Sequence, residues 1–171
     1  MKGFSKAKIV CFGGINASLA IIFQTAPIWL PMLGMAISPL STLPVGVITF
    51  ISPIAGVVTF LCASLLILAI NVQEALIFFF STGLLGLVLG LFLRKHIVAR
   101  TLIPGLALFC GLNSLFYIFN INIFGPVTQY ISGFIQIFFI LFSILYSVFW
   151  SGLISLLITK LSKFKVKNRE L

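Results

Sequence analysis

The sequence predicts an all-α polytopic membrane protein, a six-transmembrane-helix bundle with both its N- and C-termini in the cytoplasm. Three observations predict it. Hydrophobic residues make up 61% of the 171 and charged residues only 8%, more apolar surface than a water-soluble core of this size can hide. Prolines and short polar breaks divide the chain into stretches close to the roughly 20 residues that a helix needs to cross hydrocarbon. Finally, the eleven Lys and Arg residues fall into three clusters, as cytoplasmic topology determinants do.

The elements follow in order as one transmembrane domain over residues 1–171. Helix 1 is read as residues 9–30, ended by Pro31. Helix 2 covers about 32–51 and is interrupted, because Pro39 and Pro44 each remove a backbone donor; a re-entrant or partly unwound segment is an open alternative there. Helix 3 is 53–70, helix 4 is 74–93 and helix 5 is 97–119. Helix 6, 127–159, is longer than a perpendicular span requires and so must tilt, bend or project. A basic tail, 160–171, follows.

The charges supply a parity check. Lys2, Lys6 and Lys8 precede helix 1, Arg94, Lys95 and Arg100 lie between helices 4 and 5, and Lys160, Lys163, Lys165, Lys167 and Arg169 end the chain. If all three clusters are cytoplasmic, an even number of crossings must separate each pair, and the assignment above provides four and then two. The apolar body leaves no soluble segment for a nucleic-acid partner, despite the net charge of +9; the basic partner surface implied is anionic lipid.

Several chemistries lack their residues. No phosphate-binding GxxxxGK[ST] loop is present, His96 is the single histidine, and Glu74 and Glu170 are the only acidic residues, so neither catalysis nor a metal or other cofactor is expected. Cys11, Cys62 and Cys110 lie in apolar segments without CxxC spacing and read as small apolar fillers. Glu74, at an outer helix end, reads first as a partner of the helix dipole, with a ligand contact as the alternative.

Two kinds of stripe remain. Gly83, Gly86 and Gly90 give helix 4 a smooth face, with a GxxxG pair, and Gly13 with Ala17, like Gly14 with Ser18, repeats small-xxx-small spacing on helix 1. Such faces serve either internal packing or docking of another membrane subunit. Counting inward at about 1.5 Å per residue, Gln24, Asn113 and Gln136 each lie roughly 9 to 14 Å below the outer surface. Asn113, Tyr117 and Asn120 follow i, i+4, i+7 on helix 5, and Gln129, Gly133 and Gln136 do so on helix 6. The turn "FNINIFGPVTQY" thus joins two polar stripes that lead inward, either as the mouth of an outward-facing cavity or as polar groups that bond helix to helix.

A basic N-terminus, a small-residue first helix, the segment "ISPIAGVVTFLCASLLILAI" and a glycine-rich fourth helix ending in "LFLRK" resemble the substrate-binding S components of energy-coupling-factor vitamin transporters. The related, uncharacterised YybS-like membrane family is similar too, and the stretch from "SPLSTLP" to "LFLRK" carries most of the likeness. The resemblance implies a bacterial inner-membrane subunit that captures a vitamin-like solute from outside and docks, partly through helix 1, on a transmembrane coupling subunit working with two cytoplasmic ATPases. It departs from the pattern in that the family's Ala-xxx-Ala pairs are only approximated by Gly13 and Ala17, and the outer loops are short and nearly uncharged.

The expectation is therefore solute capture with Asn113, Tyr117, Gln136, Gln24, Asn120 and Gln129 as candidate binding residues, and Gly13, Ala17, Gly83, Gly86 and Gly90 as packing or docking residues. The alternative is a non-transporting scaffold of an envelope or morphogenesis complex. Whether the polar stripes face a shared cavity or one another distinguishes the two.

Overall fold

The computed structural model describes residues 6–121, 123 and 132–167, and among these every regular element is helical. Six helical spans are long and apolar enough to cross a membrane. We label them α1 (Lys6–Trp29), α2 (Pro31–Ile51), α3 (Pro53–Ile70), α4 (Val72–Phe92), α5 (Ile97–Tyr117) and α6 (Ile135–Lys167).

Local chemistry explains where the spans start and stop. Pro31 and Pro53 each occupy the first helical turn, where the missing backbone N–H has no intrahelical role. Ser52 caps α3 by accepting the amide of Ala55, and Asn71 caps α4 by accepting the amide of Glu74 at 3.0 Å. At the other end of α5, Asn120 adopts a left-handed φ of 52°, while the amide of Ile121 reaches back to the carbonyl of Leu115 at 2.9 Å. A single left-handed residue commonly ends a helix in this way, and asparagine is one of the few residues with a β-carbon that adopts that conformation readily. α6 runs on past its apolar part into the basic tail to Lys167, because neither proline nor glycine interrupts it after Gly152.

Two spans are not regular. α2 tightens into a 3₁₀ turn at Ser38–Ser41, around Pro39, before resuming as Thr42–Ile51. α4 widens into a π turn at Phe78–Thr82, between Val72–Ile77 and Gly83–Phe92. A π turn inserts a residue into the helical repeat and so re-aims the side chains beside it.

These two irregular spans are also the central pair. α2 and α4 pack on each other, with α1 and α3 on one side and α5 and α6 on the other. Their contact is close because glycine meets glycine: a β-carbon on Gly90 would lie 2.6 Å from the carbonyl oxygen of Gly46, and one on Gly86 would lie 2.6 Å from that of Thr42. In lipid, where apolar burial does not drive helices together, such backbone contact is a main source of association. Two apolar cores result. One joins Ala20, Val45, Phe60, Ala63, Ile67, Ala75 and Phe78; the other joins Leu85, Leu89, Leu108, Leu112, Phe139, Trp150 and Ile154. Large side chains such as Val10, Ile22, Leu65, Leu66, Leu145 and Phe149 are exposed on the outside of the bundle, as lipid contact requires.

The stripes on α1 and α4 divide between inside and outside. Gly83, Gly86, Gly90, Gly13 and Ala17 are all buried, and the carbonyl of Gly13 accepts the Thr59 hydroxyl of α3 at 3.3 Å. Gly14 and Ser18 are exposed, with open space where a β-carbon of Gly14 would stand.

Candidate functional site

The polar side chains at one end of the bundle form two clusters. The first is built around Gln24, which is wholly buried near the end of α1. Its Oε1 accepts the hydroxyl of Ser41 at 3.0 Å and that of Thr82 at 2.7 Å, and its Nε2 donates to Glu74 Oε2 at 2.9 Å. The two hydroxyls come from the two irregular turns: Ser41 ends the 3₁₀ turn of α2 and Thr82 ends the π turn of α4. One amide thus ties three spans, and the departures from α-helical geometry aim the hydroxyls at it.

Glu74 occupies the third position of α4, where a capping glutamate ordinarily folds back to the amide of the capping residue. Here the amide of Asn71 instead bonds the carbonyl of Ile67 at 2.8 Å, which leaves the Glu74 carboxylate for Gln24. Glu74 thus closes the helix cap with its backbone amide and enters an interhelical contact with Gln24 through its side chain. It is the only carboxylate among the described residues.

The second cluster joins α5 and α6. Gln136 Nε2 donates to Asn113 Oδ1 and to Tyr117 Oη, each at 3.0 Å, while Asn113 Nδ2 donates to the carbonyl of Phe109 at 2.9 Å. Asn113 and Tyr117 share a face because they are four residues apart, and the first turn of α6 brings Gln136 against them. Unlike Gln24, this cluster is open: Gln136 is exposed and Tyr117 retains 57% of its accessible surface.

The π turn of α4 stands between the clusters. Thr82 at its end serves Gln24, whereas the carbonyl of Phe80 packs against Gly111 of α5 and the Phe80 ring lies 5.3 Å from that of Phe119. Asn113, Tyr117 and Gln136 are brought together; Gln24 is at the same end but bonds to other partners. Asn120 is exposed and its backbone ends α5. Gln129 lies outside the described residues, as does most of the 119–130 turn.

Sequence reasoning missed the hydroxyls. Ser41 and Thr82 sit in turns whose distortion no periodicity announces. Ser143, Ser147 and Ser151 are also fully or almost fully buried on α6, and Ser147 donates to the carbonyl of Thr101 on α5 at 2.7 Å. Their signal was available, because 143, 147 and 151 follow Gln136 at +7, +11 and +15 on one helical face. The described residues hold no group of three or more His, Cys, Asp or Glu able to bind a metal.

Comparison with protein-family models, with curated proteins and with solved structures finds no match to this chain.

Proposed function

We propose that the protein is the solute-binding subunit of an uptake transporter in a bacterial inner membrane, with both termini in the cytoplasm. The observation that carries this reading is the open cluster of Asn113, Tyr117 and Gln136 at the loop end of α5 and α6. Amide and phenol groups offer neutral donors and acceptors in the same place, the chemistry that selects a small polar solute over an ion. A solute would replace contacts that Gln136 makes with its neighbours. Helices broken at Ser38–Ser41 and Phe78–Thr82 add support, since transporter sites are commonly built beside discontinuous spans. Movement of the solute would then draw on partner ATPases through a coupling subunit, since the sequence has no nucleotide-binding loop of its own.

A second reading is favoured by a different observation. Gln136 bonds Asn113 and Tyr117, and Gln24 bonds three other side chains, so the polar groups face one another as interhelical links do. With the open Gly14 and Ser18 face of α1, this suits a non-transporting scaffold of an envelope or morphogenesis complex.

Native mass spectrometry of the protein released gently from its own membranes separates the two. Recovery with an ATPase-containing complex, or with a small polar molecule bound, supports the transporter subunit. Recovery alone or with envelope-assembly proteins, and empty after supplementation with a vitamin mixture, supports the scaffold.

A further inference from the structure

A Ser or Thr hydroxyl inside a membrane helix has a ready partner, the carbonyl four residues earlier. Thr25, Thr49, Ser64 and Thr101 all use it, at 2.8, 2.7, 2.8 and 2.9 Å. Thr42 does not. Its Oγ1 is buried and completes no hydrogen bond, and the same holds for the indole Nε1 of Trp150 on α6. The reason for the first is local: Thr42 directly follows the 3₁₀ turn, whose tighter winding takes the preceding carbonyls out of α-helical register.

The two orphans are neighbours. The Tyr146 hydroxyl, one helical turn before Trp150, lies beside the side chains of both Thr42 and Trp150, although neither the Thr42 hydroxyl nor the Trp150 indole completes a hydrogen bond of ordinary length and angle. Three polar groups from α2 and α6 thus converge, with Thr42 fully buried and Trp150 only 3% exposed. α4 lies against the same turn of α2, since Gly86 lets the backbone of Thr42 in. Ser143 and Ser151, whose hydroxyls are likewise buried and unpaired, bracket Tyr146 and Trp150 along α6.

Leaving such groups unpaired away from water is unfavourable. A guest that bonds two to four of them removes that cost. We propose that Thr42, Tyr146 and Trp150 form a buried binding site for one small neutral oxygen-bearing guest, either a water molecule or the acceptor oxygen of a bound solute. The indole can only donate, so the guest must present an acceptor; the two hydroxyls donate or accept as required. No charged side chain belongs to the site, which sets it apart from an ion site. Ser41 bonds Gln24 on α1 while its neighbour Thr42 turns to α6, so occupancy would link the buried Gln24 cluster to the last helix through one turn of α2. The site stands apart from the Asn113, Tyr117 and Gln136 cluster and does not depend on the transporter reading.

Trp29→Phe leaves Trp150 as the single tryptophan, because the chain has two. With the full chain in lipid nanodiscs, the Trp150 indole proton is expected to show a cross-peak to a long-lived water, and to lose it in Thr42→Val, which keeps the side chain's shape. Tyr146→Phe gives the same readout should Thr42→Val not fold. Acetamide, a neutral amide probe, separates the sources: its own cross-peak replacing that of water identifies a solute-type guest, and persistence of the water cross-peak identifies water. An indole proton with neither cross-peak, or one whose cross-peak survives in both variants, overturns the proposal.

Discussion

Gln24 and Glu74 are 50 residues apart in the chain, and the amide nitrogen of one lies 2.9 Å from the carboxylate of the other. The contact fixes the end of α1 against the start of α4, and the two hydroxyls on the other side of the same amide extend it to α2. The network is cooperative in form, because each member is held by partners on a different span.

Removing its centre should therefore cost more than removing an edge. Gln24→Leu strands Glu74, Ser41 and Thr82 together and is expected to destabilise the detergent-solubilised protein by roughly 2 kcal/mol. Thr82→Val removes one hydroxyl and should cost about 1 kcal/mol or less. In thermal unfolding followed by size-exclusion chromatography, the double variant should be little worse than Gln24→Leu alone. Additive losses would show that the hydroxyl acts independently of the amide.

The helix-packing glycines separate in the same assay. Gly111→Ala drives a β-carbon into the Phe80 carbonyl of the π turn and should cost about 1–3 kcal/mol, because backbone rather than a flexible side chain must yield. Gly14→Ala meets open space and should leave the isolated protein at least as stable as the parent, since alanine favours the helix. Equal effects would contradict the packing described.

At the end of α5 the left-handed backbone of Asn120 makes its own prediction. Asn120→Gly should be neutral or slightly stabilising, whereas Asn120→Val should cost roughly 1–2 kcal/mol. A Val variant as stable as the parent would mean that the helix closes by other means.

Topology is checked by labelling. In a background with Cys11, Cys62 and Cys110 replaced, His96→Cys should react with a membrane-impermeant maleimide only from the cytoplasmic side, given Arg94, Lys95 and Arg100 around it. Labelling from outside would reverse the orientation proposed.

The spans were legible because their signals are local: Pro31, Pro53 and Asn71 mark helix starts, and apolar runs of near-membrane length lie between the breaks. The Asn113, Tyr117 and Gln136 contact was half legible, since spacing put two of the three on one face, but only packing could bring α6 against them. Gln24 with Glu74 was not legible at all. Depth along a helix says nothing about which neighbour a side chain faces, and the π turn in "FFFST" that turns Thr82 toward Gln24 leaves no periodic mark in three phenylalanines, a serine and a threonine.

The central claim, that the open cluster on α5 and α6 receives a solute, is tested most directly by ligand-induced stabilisation of the parent and of Gln136→Leu against a fractionated mixture of water-soluble vitamins. A ligand at a hundred times its Kd should stabilise the parent by about 2.7 kcal/mol and leave the variant unmoved. If no fraction stabilises the parent, or if one stabilises both proteins alike, the cluster is an interhelical link and solute capture is contradicted.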